Sequence, residues 1–141
     1  ALAFAMDYVK KRIVKPDNTA VAMDPTVQRH VGEIAVHLDA TGLLVADSAA
    51  RWDRASPGER GPLANRAKYL AGEVGLQVTS KAIQIVGGRG AYRDYPVERA
   101  FRDLRTCTLM PPTADRMLEA LGKSALGLDA AMFNVSGETS P

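Results

Sequence analysis

The residues able to do chemistry cluster in one stretch. Gln84-Ile85-Val86-Gly87-Gly88-Arg89-Gly90-Ala91-Tyr92 is followed by Pro96-Val97-Glu98-Arg99 and Arg102-Asp103. A run with Gly87, Gly88 and Gly90 lets backbone N–H groups approach a ligand more closely than side chains would permit. Gln84, one helical turn earlier, adds an amide that donates and accepts. Pro96 suits the first position of a new helix, whose N-terminus is a positive dipole end. Together these groups suit a phosphate or the edge of an adenosine. The spacing is neither G-x-G-x-x-G after a strand nor a Walker loop, so the standard dinucleotide and P-loop fingerprints do not apply. The plainer reading of the same glycines is a helix C-cap followed by a turn.

Other candidates read as structural. Glu98 and Arg102, and Arg99 and Asp103, stand at i,i+4 and predict ion pairs along one helix face. His30 and His37 are seven apart, which is not the i,i+4 spacing of a metal pair, and no thiol or carboxylate accompanies them at ligand spacing. No metal site is expected. No Ser, Thr or Cys sits in a nucleophile motif. Asn134-Val135-Ser136 matches a glycosylation sequon, which has meaning only on a secretory route. Met6, Met23, Met110, Met117 and Met132 read as core filler.

Helices must position these residues. Leu2, Met6, Val9 and Ile13 fall on one face of a first helix, with Lys10, Lys11 and Arg12 near its end and a stop at Pro16-Asp17-Asn18. Asp24 as N-cap and Pro25 as first residue open a second helix. From Asp24 to Trp52 the pattern runs for roughly 29 residues, or about 43 Å, on the stripe Val27, Val31, Ile34, Leu38, Thr41, Val45, Ser48, Trp52. Residues 55–61 read as a loop. A third helix starts near Pro62 and carries Leu63, Ala67, Leu70, Val74, Val78, Ala82 and Ile85 to Gly87. Gly72 and Gly75 weaken it by about 1 kcal/mol each but permit a close neighbour. A shorter helix runs from Pro96 to about Arg105, and Pro111-Pro112 break the chain. A last stripe follows: Ala114, Leu118, Leu121, Ala125, Leu128, Met132. No strand pattern competes. The expected fold is all-α, an antiparallel up-down-up-down four-helix bundle over 1–133 with a polar tail at 134–141.

Composition bounds the function. The chain has 141 residues, 46% of them hydrophobic and 24% charged, which suits one soluble domain. Eighteen basic and sixteen acidic residues leave a formal charge of +2, too little to predict a nucleic-acid partner. No apolar run reaches the roughly 18 residues of a membrane span. Cys107 is the single cysteine, so no internal disulfide forms. A reducing, cytoplasmic setting is expected. The chain opens without Met on an already helical pattern, and so reads as part of something longer.

Ala67-Lys68-Tyr69-Leu70-Ala71-Gly72-Glu73-Val74, then Ala82 to Gly90, then Pro96-Val97-Glu98-Arg99 and Arg102-Asp103, resemble the C-terminal helical domain of acyl-CoA dehydrogenases. The resemblance runs from Leu2 to about Gly127 and is most specific from Gln84 to Arg105. Tyr8 to Arg12 resembles the helix that ends in an arginine before a Phe-Gly pair, here replaced by Lys15-Pro16. The resemblance implies FAD, with FMN as the alternative. It also implies N-terminal and β-domains elsewhere in the protein, a homodimer or homotetramer, and an acyl-CoA substrate. It places Arg12 at the pyrophosphate of a neighbouring subunit's FAD, and Gln84, Gly87 and Gly88 at the adenosine-diphosphate part of that cofactor. Thr113 matches the threonine of a Glu-Gly-Thr motif, and Asp115 lies where a further FAD contact would be. The catalytic glutamate of that motif is missing, because Pro111 stands in its place. Asp24-Pro25 before Val27-Gln28-Arg29-His30-Val31-Gly32-Glu33, and Arg105-Thr106-Cys107-Thr108-Leu109, look more like the family's flavin-dependent monooxygenase branch. Three readings follow. One is an α,β-dehydrogenating flavoenzyme, whose domain here has no turnover alone. The others are a monooxygenase on the same scaffold and a non-catalytic helical assembly module.

Overall fold

Prolines open three of the helices. The computed structural model describes residues 1–128. It contains α1 (Leu2–Lys11), β1 (Ile13–Val14), β2 (Thr19–Ala20), a short 3-10 turn at Val21–Met23, and α2 (Pro25–Trp52). These are followed by α3 (Pro57–Val86), a second 3-10 turn at Gly88–Ala91, α4 (Pro96–Leu109) and α5 (Ala114–Ala125). Pro25, Pro57 and Pro96 each occupy a first helical position, where the missing N–H has no partner to lose. Among the described residues the fold is all-α apart from the two-residue strands. The polar tail and Met132 lie outside the described residues.

Four boundaries differ from the sequence reading. Pro62 does not start the third helix. Ser56 and Glu59 close a capping box five residues earlier, with the Ser56 N–H and hydroxyl donating to Glu59 Oε2 at 2.9 and 2.7 Å. The expected loop is therefore mostly first turn, and Pro62 sits inside the helix. In α1 the helical path stops at Lys11, because Arg12 turns extended. Ile13 then pairs with Ala20 and Val14 with Thr19 in an antiparallel hairpin, tightened by Asn18 at φ 46°. Ile13 is consequently 53% exposed rather than in the core. In α4 the helix runs on to Leu109, past Arg105. The last helix ends at Ala125 because Gly127, at φ 70°, takes the left-handed cap. The Gly127 and Leu128 N–H groups donate back to Ser124 and Lys123 carbonyls at 3.2 and 2.9 Å.

The long α3 organises the packing. The Lys81–Glu33 ion pair and the shared cavity wall of Trp52 and Ala64 set α2 antiparallel to it. Along α4 the order reverses again: a Cβ on Gly75 would come within 3.0 Å of Leu104, and one on Gly72 within 3.4 Å of Thr108. Gly75 thus permits the close approach that its spacing predicts. α5 begins beside Lys68, and by Ala120 it has reached the wall of Gly61 to Asn65. The core clusters around the C-terminal half of α3. There Val78, Ala82, Ile85 and Val86 meet Ala5 and Val9 of α1, Ile34 of α2 and Val97 of α4. The glycine run therefore leaves from the best-packed end of the molecule.

Candidate cofactor site

The C-terminal ends of α1 and α3 meet where α3 stops. Gly87 is the C-cap of α3, at φ 83° and ψ −165°, and its N–H donates to the Ile83 carbonyl at 2.8 Å. A residue with a Cβ is strained in that conformation. Arg12, at the end of α1, donates from Nη1 to the Val86 carbonyl at 3.0 Å across 74 residues of sequence. A Cβ on Gly87 would lie 3.3 Å from the same Nη1. A cation at a helix C-terminus is favoured by the dipole and satisfies one orphan carbonyl. Gly88 is exposed, and a Cβ there would meet nothing within 4 Å, so its flank is open. Gln84 is exposed in the last turn of α3. Arg12, Gln84, Gly87 and Gly88 thus form one group. The bland reading of the glycines also holds locally, since Gly87 does cap α3.

An aromatic cluster backs this group. Phe4 stacks on Tyr8 at 6.2 Å, and both meet Tyr95 edge-on at 5.9 Å. The Arg12 guanidinium lies over the Tyr8 ring at 5.9 Å. Hydrogen bonding to Tyr95 and the neighbouring Tyr8 hold the Arg89 guanidinium above its ordinary pKa. Nothing in the sequence brings Phe4, Tyr8, Tyr95 and Arg89 together as one cluster. The i,i+4 spacing of Tyr8 and Arg12 was the available signal, whereas nothing in the sequence places Tyr95 against them.

Thr113 and Asp115 stand elsewhere. Thr113 is the N-cap of α5, its side chain makes no capping bond, and Asp115 is exposed in the first turn. The Lys68 ammonium holds this junction, donating to the Met110, Pro111 and Pro112 carbonyls at 3.1, 3.0 and 3.0 Å. Lys68 and Gln84 are sixteen residues apart on one helix, or roughly 24 Å. The structure therefore divides the predicted residues into two groups that cannot touch the same end of one small ligand. Pro111 contributes a carbonyl to Lys68 and has no ionisable group. The predicted ion pairs on α4 form: Arg102 Nη2 reaches Glu98 at 3.1 Å and Arg99 reaches Asp103 at 3.5 Å. Among the described residues no group of three or more His, Cys, Asp or Glu is placed to hold a metal, and no helix is long and apolar enough to cross a membrane.

Residues 1–110 match the family model described as acyl-CoA dehydrogenase, C-terminal domain. The chain belongs to this family. A probable acyl-CoA dehydrogenase of Mycobacterium tuberculosis is 34% identical over 105 residues, covering 74% of this chain and 26% of that protein. Butyryl-CoA dehydrogenase from Megasphaera elsdenii superposes with a TM-score of 0.81 at 27% identity, covering 89% of this chain and 32% of that one. The FMN-bound TdsC of Paenibacillus sp. A11-2, a dibenzothiophene monooxygenase, gives 0.75 at 26% identity, covering 89% and 34%. The chain spans between a quarter and a third of the length of the first curated relatives it matches, 26% and 28%. Both the dehydrogenase and the monooxygenase resemblance thus have counterparts among the solved structures this chain is similar to.

Proposed function

We propose that this chain is the flavin-binding helical domain of a larger acyl-CoA dehydrogenase-like oxidoreductase. In this reading the whole protein carries out α,β-dehydrogenation of acyl thioesters with FAD. The observation that carries it is the meeting of Arg12 with the Val86 carbonyl and Gly87 beside the open flank of Gly88. That arrangement fits a diphosphate. A guanidinium with unused N–H donors stands beside backbone that no side chain screens. The Thr113 hydroxyl, which makes no capping bond, and the α5 N-terminus form the second, separate contact. Two groups roughly 24 Å apart suit two cofactors, one held within a protomer and one reaching in from its neighbour. A homodimer or homotetramer fits this division. Val36 and Leu43, 66% and 73% exposed on α2, supply apolar surface for other domains or copies. The bundle is proposed to occupy 1–133 with the tail at 134–141, in a cytoplasmic protein that keeps the exposed Cys107 reduced.

Flavin, when bound, supplies the redox chemistry; this chain's residues bind and orient it. The base for α-proton removal lies outside this chain in this reading, because Pro111 offers none. The same Pro111, with the likeness to a monooxygenase fold, favours flavin-dependent hydroxylation as the second reading. The test uses the full-length protein. An FAD spectrum that bleaches when acyl-CoA is added without oxygen supports dehydrogenation. Oxygen consumption by reduced flavin with a non-thioester substrate, and no bleaching, selects the monooxygenase. A protein that neither carries nor takes up flavin would be a helical assembly module, and the proposal would fall.

A further inference from the structure

Tyr8 does more than fill the core. It lies one helical turn before Arg12 on α1, and its ring has three close partners. Phe4 stacks on it at 6.2 Å, Tyr95 packs against it edge-on at 5.9 Å, and the Arg12 guanidinium lies over it at 5.9 Å. The Arg12 guanidinium is consequently held from two directions. Nη1 donates to the Val86 carbonyl at 3.0 Å, and the guanidinium carbon lies over the Tyr8 ring at 5.9 Å. Its Nε and Nη2 have no partner among the described residues. A long exposed arginine ordinarily loses much rotamer freedom when it grips an anion. Here that freedom is already restricted.

We propose that Tyr8 is a positioning residue for diphosphate binding, acting through Arg12. The ring and the Val86 carbonyl pre-orient the guanidinium so that its remaining donors serve the diphosphate of a dinucleotide cofactor. This rests on the reading of Arg12 as a flavin contact and adds the residue on which that contact depends. Because the group recognised is the diphosphate, the effect separates FAD from FMN, which lacks the second phosphate and the adenosine.

The test titrates FAD and FMN into the apo form of the full-length protein. Arg12→Met is expected to weaken FAD by about tenfold or more and leave FMN within about twofold. Tyr8→Met is expected to weaken FAD by about threefold to tenfold, with FMN again unchanged. The double variant should bind FAD no more weakly than Arg12→Met alone, since Tyr8 then has nothing to orient. Tyr8→Phe keeps the ring and should retain FAD affinity within about twofold. Arg12→Lys keeps the charge on an exposed side chain but loses the planar fork, and should weaken FAD nearly as much as Arg12→Met. It carries the test even where Tyr8→Met does not fold. Additive losses in the double variant, equal losses of FAD and FMN in Tyr8→Met, or full FAD affinity in Arg12→Lys would each overturn the positioning role alone. Undiminished FAD binding by Arg12→Met would overturn the flavin contact itself.

Discussion

Gly87 and Gly88 are neighbours with different duties. Gly87 holds a backbone conformation at φ 83° that a side chain strains, and it leaves room for Arg12 Nη1. Gly88 holds no such conformation and faces open space. Gly87→Ala is therefore expected to destabilise the fold by about 1–3 kcal/mol, while Gly88→Ala stays within about 0.5 kcal/mol. Urea unfolding of the two variants checks this, and equal losses would contradict it. Both should weaken flavin binding, Gly88→Ala by blocking close approach alone. The sequence exposes the glycines but not this difference, since φ is settled only by where α3 ends. Lys68 is a stronger instance. Nothing in Ala67-Lys68-Tyr69 marks a residue that holds three consecutive carbonyls more than forty positions away.

Element boundaries depended on caps more than on apolar stripes. The stripe of α3 predicted its body and its end at Gly87, yet its start lay with Ser56 and Glu59. That start has a pH signature. Hydrogen bonds from the Ser56 hydroxyl and then its backbone N–H hold the Glu59 carboxyl below the usual glutamate range. A carboxyl depressed in the folded state adds stability above its unfolded pKa, and that stability is lost as pH falls through the lowered folded value. Glu59→Gln keeps an acceptor but cannot titrate. The Tm advantage of the unsubstituted protein over Glu59→Gln is thus expected at neutral pH and should shrink as pH drops below the usual carboxylate range. A constant gap across that range would show that the box does not depend on charge. The hairpin of β1 and β2 is not legible in the sequence because two-residue strands carry no periodicity. Val14 and Thr19 pair because Arg12 leaves the helix and Asn18 turns the chain.

For the whole molecule, family and fold agree with the reading from residues: an all-α domain of the acyl-CoA dehydrogenase family, with its glycine run at the packed end of α3. Ile34 is fully buried in the cluster that supports that end. Ile34→Ala is expected to cost about 2–5 kcal/mol in urea unfolding, a large share of the stability of a domain this size. A loss under about 1 kcal/mol would mean that the cluster is not the stabilising core. The sequence by itself determined the helices, the apolar face of α3, the glycine break and the absence of a carboxylate at position 111. Those follow from local periodicity, from conformational limits on Gly and Pro, and from residue identity. By contrast, α5 buries Met117 and Ala120 rather than the stripe through Leu118, which is 45% exposed. Only the tertiary structure decided that Arg12 meets Val86 across 74 residues, that Tyr8 and Tyr95 back it, and that Thr113 stands apart. Such pairings arise from how α1 and α4 pack against α3, and that depends on the surfaces of whole elements rather than on any one segment's pattern.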